Sequence, residues 1–244
     1  MTNQLASVAG TVLASHDLTQ LETALVELTE TFLPASPRAA PAVYEPRELM
    51  LARAFIVFAH AEVEDYLETC CRAKAKRALE QLKSGSPTLV ATSLLTYFGE
   101  KASVPAEMAK WTTANTSLAH DFPICDPAVT RFMLKQTKLA IEAYVAQCRS
   151  NHGIKEANLL QLLIPLGVNP GVIDLTWMVE LNAFGSERGN QAHRGLAGVQ
   201  QINDPFAARD RITKILDGPP GSGPLSGGTA SIYSLRSLDA VLCA

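Results

Sequence analysis

The strongest constraint on the fold is the stretch from Pro46 to Leu82, where Ala52, Phe55, Ile56, Ala59, Val63, Tyr66, Leu67 and Cys70 recur at intervals of three and four. That period places them on one face of a long α-helix. Residues 54–59 are apolar all round, which predicts burial on more than one side, at a bundle centre or in a dimer interface. Arg53 and His60 share this helix with Glu64 and read as a solvated or ion-paired edge. Glu62, Glu64, Asp65 and Glu68 cluster with only His60 nearby and read as a solvated face in preference to a metal site. The tail of the helix is basic, with Arg72, Lys74, Lys76, Arg77 and Lys83. This suits its C-terminal dipole and reads as a solvated face or, alternatively, as an RNA track. Ser84-Gly85-Ser86-Pro87 ends the helix.

The remaining chain is also helical by pattern. Leu18, Leu21, Leu25, Leu28 and Phe32 predict a helix over 16–33, with Asp17 as its cap. Prolines 34, 37, 41 and 46 then make a connector, so residues 1–40 are an extra helix packed on the bundle or a dimerisation arm. Helical segments are expected over 88–99 and 105–118. A longer one follows the Asp126 cap and Pro127, stopping near Asn151-His152-Gly153 with His152 as a C-terminal cap. Its inner face holds Val129, Phe132, Met133, Ala140, Ile141, Tyr144, Val145 and Cys148. A short helix over 155–164, a Pro165-Leu166-Gly167 turn and a helix from about 172 lead to Arg188. Asp204-Pro205 starts a last helix with Phe206, Ile212 and Ile215 inward and Arg209, Arg211 and Lys214 outward. The expected architecture is all-α: a helical bundle over 41–217, preceded by the N-terminal helix and connector (1–40) and followed by a Gly/Pro/Ser-rich linker and flexible tail (218–244).

Composition narrows the function. The 244 residues are 47% hydrophobic and 18% charged, the balance of a globular chain. A net charge of −3 argues against general affinity for polyanions, so any RNA contact must come from local patches. The first residues lack the basic start of a secretory signal, and no later apolar run approaches the roughly 20 residues that span a bilayer. A cytoplasmic location, away from membranes, is expected. Five cysteines, an odd number without a Cys-x-x-Cys pair, argue against disulfides and structural zinc. Phosphate-loop, Gly-x-Ser-x-Gly and Glu-x-x-His patterns are absent from the sequence. No metal or cofactor is expected.

One stretch carries candidate chemistry: Glu187-Arg188-Gly189-Asn190-Gln191-Ala192-His193-Arg194-Gly195. In a straight helix, positions five apart are turned about 140° from each other, so Arg188 and His193 can share a site only if the helix bends or ends between them. Gly189, Asn190 and Gly195 permit that. Gly185 and Gly189, one turn apart, would let another backbone approach, as at a subunit contact. An arginine fits phosphate and a histidine moves protons near neutrality. Together they suit metal-free RNA cleavage by attack of a ribose 2'-hydroxyl on the adjacent phosphorus. Arg188 and His193 are the candidate catalytic residues. Asn190 and Arg194 are candidate substrate contacts, with a surface pair as the alternative for Arg194.

Upstream lie Leu162-Leu163-Ile164-Pro165-Leu166-Gly167-Val168, Asp174, Trp177, Met178, Leu181 and Phe184, and further back the 54–67 segment. With the arginine and histidine, this combination resembles the HEPN superfamily, most closely its RiboL-PSP-HEPN branch, over roughly residues 45–217. The resemblance implies a helical bundle, often a homodimer, acting as a metal-independent endoribonuclease of a toxin or phage-defence system, with RNA as substrate and an antitoxin or other regulatory protein as a further partner. The family's motif is an arginine, usually followed by a polar residue, then a histidine after four to six positions. Here Gly189 stands in the polar place and Asn190 comes one later. The alternative is a non-catalytic HEPN-like module that binds RNA or protein.

Overall fold

The computed structural model describes residues 15–37, 44–99, 127–193, 204–220 and 231–243, with the backbone alone for 127–130 and 191–193. Among them are eight helices: α1 (His16–Phe32), α2 (Pro46–Lys83), α3 (Leu89–Phe98), α4 (Pro127–Arg149), α5 (Glu156–Leu163), α6 (Leu175–His193), α7 (Phe206–Asp217) and α8 (Leu235–Cys243). The fold is an all-α bundle. The 105–118 segment, Asp126 and Arg194 lie outside the described residues.

The 38-residue α2 is the axis of the bundle. Pro46 occupies its first turn, where a missing N–H is harmless, and Glu45 and Glu48 form a reciprocal capping box. Every other described helix packs on it, which explains why Phe55, Ile56, Ala59, Val63, Leu67, Cys70, Cys71 and Ala75 are all 1% exposed or less. α1 lies along α2 and is capped by Ser15, whose Oγ accepts from the Leu18 N–H at 3.1 Å. The expected cap, Asp17, sits inside the first turn instead. α4 runs on the other side of α2, and its buried Tyr144 donates to the Leu162 carbonyl at 2.6 Å, fastening α5. Met133, expected on the inner face of α4, is exposed; Ala140, Ile141, Tyr144 and Cys148 are buried as expected. The three core thiols Cys70, Cys71 and Cys148 are free, and burial pushes all three up, Cys70 to about 12.

The C-terminal segment, expected as a flexible tail, docks. Ser231 and Ile232 donate to the Val172 carbonyl, and Ile232 returns its own carbonyl to the Asp174 N–H at 2.8 Å. α8 then buries Leu235, Leu238 and Leu242. Its Asp239, 2% exposed, accepts from the Ser15 N–H (2.9 Å), the Ser15 hydroxyl (2.6 Å) and the Tyr66 hydroxyl (3.0 Å). Lys74 and Arg77 of α2 donate to the Val241 and Leu242 carbonyls at its end. These two cations are therefore engaged in holding a helix, where the sequence suggested a solvated face or an RNA track.

Candidate functional site

The α6 helix is set by its neighbours at both ends. Asp174 caps it, accepting from the Trp177 N–H at 2.9 Å, and Trp177, fully buried, donates its indole N–H to the Ile215 carbonyl of α7. Arg211 of α7 pairs with both Glu180 and Glu187 of α6, and Lys214 with Glu180. These side chains, expected to point outward, are the ionic seam between the two helices. Further along, Asn182 accepts from the Glu156 N–H at 2.8 Å and so fixes the start of α5 beside α6.

The helix does not break after Arg188. It continues through Gly189 and Asn190 to His193, so the bend expected between the two candidate residues is absent. The reason is energetic. One glycine costs a helix only about 1 kcal/mol, which good helix formers on either side, here Glu187, Gln191 and Ala192, can carry. Arg188 and His193 thus start from backbone positions about 140° apart around one helix. His193 is in line with Leu175, about five turns earlier, and near the line of Val179; Leu175 and Val179 are 80% and 63% exposed. Asn190 is exposed. Within the chain, a methyl group at Gly185 would meet the Lys155 Cγ at 2.8 Å, so a lysine stem crosses α6 there, and among the described residues nothing lies within 4 Å of a methyl placed at Gly189.

The face of α6 that carries Phe184 and Arg188, one turn apart, looks instead onto α2 at His60 and Glu64, also one turn apart. The Phe184 and His60 rings lie 5.8 Å apart. His60 is 2% exposed, not the solvated edge its neighbours suggested. Its Nδ1 lies 3.5 Å from a Glu64 carboxylate oxygen but makes no hydrogen bond among the described residues. Burial first, then the positive charges of Arg188 and Lys155, lower the imidazole pKa from 6.5 to about 4, so it is neutral at physiological pH. Burial likewise raises Glu64, against the opposing pull of the Gly153 backbone amide, Arg188 and His152.

Glu64 and Glu68 are 18% and 14% exposed, while Glu62 and Asp65 face solvent; the acidic cluster is split between a seam and a surface. Glu68 pairs with Arg72 at 2.9 Å and accepts from Asn151. Asn151 also donates to the Gly153 carbonyl. This residue, not the exposed His152, organises the turn after α4, and Gly153 supplies the positive φ of +145° the turn needs. The result is a polar seam along α2, closed by the 151–155 turn and by Arg188 of α6. It has one feature suited to chemistry: Arg188 is half-buried, and among the described residues no carboxylate lies within ion-pair distance of it. A guanidinium so placed has donor capacity for an anion.

Sequence reasoning found Arg188 but not its neighbours His60, Glu64 and Lys155. Position 60 does fall between Ile56, Ala59 and Val63 on the buried stripe, and that register was the available signal. No family model, no curated protein and no solved structure matches the chain.

Proposed function

We propose that the protein is a metal-independent endoribonuclease that works as a homodimer, with Arg188 binding the scissile phosphate and His193 moving the proton. The half-buried Arg188, without a carboxylate of its own among the described residues, carries this reading. In the reaction the imidazole takes the proton of a ribose 2'-hydroxyl, and the 2'-oxygen attacks phosphorus. The bond to the 5'-oxygen breaks and that oxygen takes up a proton. A 2',3'-cyclic phosphate and a 5'-hydroxyl result, with the guanidinium stabilising the charge that builds on phosphate.

Because the helix is continuous, Arg188 of one copy acts with His193 of the partner subunit. The exposed Leu175 and Val179, on the backbone line that leads along α6 to position 193, support pairing of two copies there. Mixing Arg188→Ala with His193→Ala protein tests this directly. Each mixed dimer regains one complete site if the residues act across the interface, restoring about a quarter of wild-type cleavage, and none if they act within one chain. Cleavage in excess EDTA by wild type, lost in each single variant, supports the enzyme; cleavage persisting in both refutes the assignment. Asn190 and Arg194 are proposed substrate contacts. A toxin or defence role, held in check by a regulatory protein, completes the proposal.

The continuous helix also favours a second reading, a non-catalytic HEPN-like module that binds RNA or protein, in which Arg188 serves the polar seam. Retention of RNA without any cleavage would select it.

A further inference from the structure

A groove lies between α2 and α4, lined by no residue of the α6 helix. Its floor is apolar, formed by Leu79, Ile141 and Val145, and its rims carry three cations, Lys76, Lys138 and Arg149, against one carboxylate, Glu142. Elsewhere on this part of α2 the cations have local partners: Arg72 has Glu68, Lys83 has Glu80, and Lys74 and Arg77 hold α8. The groove cations differ. Lys76 and Arg149 are exposed, and among the described residues neither is within ion-pair distance of a carboxylate. Lys138 has only Glu142, at 3.9 Å with both side chains more than half exposed, a pairing too loose to neutralise it.

From Lys138 to Arg149 the rim runs about 16 Å along α4. At its Arg149 end the chain passes into the 151–155 turn, where His152 and Lys155 lead to Glu64, His60 and Arg188. Repeated positive charge beside an apolar strip matches one kind of ligand well: a strand whose phosphates repeat along one edge and whose bases present flat apolar faces. The charge is local, since the whole chain carries −3.

We infer that the α2–α4 groove holds a single-stranded nucleic acid, its phosphates on Lys76, Lys138 and Arg149 and its bases over Leu79, Ile141 and Val145, and that the strand leaves past Arg149 toward Arg188. The inference rests on the proposed RNA chemistry for its choice of substrate and names where the rest of that substrate is gripped. The test uses the full chain and a fluorescein-labelled 2'-O-methyl oligouridylate, which has no free 2'-hydroxyl and cannot be cut, with binding read by anisotropy at about 50 mM salt. Lys76→Glu/Arg149→Glu should weaken binding by about tenfold or more and flatten the salt dependence by about one logarithmic unit or more, since each phosphate contact on a single strand contributes about 0.7 to that slope. Arg47→Glu/Arg209→Glu, the same charge change elsewhere, should stay within about twofold, and circular dichroism melts should confirm that both variants fold. Equal losses in the two double variants, no loss in the groove variant, or no binding by wild type would overturn the inference. So would polyglutamate binding as tightly as the oligonucleotide, which would point to an acidic protein. Failure of the enzyme reading gives a different result: groove-dependent binding by a wild type that cleaves no RNA.

Discussion

The buried imidazole of His60 makes a pH-dependent prediction for stability. In the unfolded chain it binds a proton near pH 6.5; in the fold it does so only near 4, because burial and the charges of Arg188 and Lys155 oppose it. Between those values the unfolded state carries more protons at this site. Stability therefore falls as pH falls through 6.5, and the loss levels off below about 4. At about 1.4 kcal/mol per pH unit, the full shift corresponds to about 3 kcal/mol. Glu64 acts in the opposite direction: its raised carboxyl contributes stability below its unfolded value that is lost as pH rises through the folded one, so it offsets part of the His60 effect in acid. The assay is urea denaturation of wild type and His60→Gln from pH 7.5 down to 4.5. Comparing the two cancels the other titrating groups except for the part of Glu64 that depends on His60. Wild type should lose on the order of 2–3 kcal/mol relative to the variant over that range. Parallel pH profiles would refute the buried, neutral imidazole.

Two further substitutions test the backbone and the tail. Gly189→Ala should stabilise the protein by roughly 0.5–1 kcal/mol, because the helix is continuous there and among the described residues nothing lies within 4 Å of the added methyl; destabilisation in a thermal melt would restore the broken helix. Asp239→Asn removes the charge that three hydrogen bonds converge on and turns a donor toward a Ser15 donor. A loss of about 3 kcal/mol, or a fall in melting temperature of roughly 6–12 °C, is expected; a change under about 2 °C would mean the C-terminal helix is not docked in solution.

Much of the bundle was legible because its helices follow the apolar period: the bounds of α1, α2 and α3 fall within a residue or so of those read from Leu18 to Phe32, Pro46 to Leu82 and 88–99. The tail was misread although the same signal was present. Ile232, Leu235, Leu238 and Leu242 repeat at three and four, and Ser234 accepts from the Ser237 N–H as a cap, but the glycine-rich stretch before them suggested disorder for the whole segment. Asp239 could not be placed from sequence, because its partners Ser15 and Tyr66 are 224 and 173 residues away. At the candidate site the motif residues were visible, and the error lay in the backbone. Glycine permits a break in a helix without requiring one, and here the flanking residues and the packing of Phe184 and Gly185 keep the helix whole.

The seam of His60, Glu64, Glu68 and Arg72 is the least economical part of the fold. Four polar residues at four-residue spacing occupy one edge of a helix otherwise committed to the core, and two buried atoms of the seam, His60 Nδ1 and Asn151 Oδ1, lack hydrogen-bond partners among the described residues. A half-satisfied buried network costs more than an apolar one of the same shape, so packing alone gives no reason for these residue types. Arg188 supplies one. A guanidinium brought to this edge is held by nearby negative charge, but a closely paired carboxylate would take up its donors. Glu64 is near enough for the two charges to act on each other, yet among the described residues it makes no ion pair with Arg188. The neutral His60 beneath adds no competing positive charge. The seam thus leaves Arg188 without a closely paired carboxylate among the described residues, and the unpartnered polar atoms at His60 and Asn151 go with that arrangement and not with the apolar core.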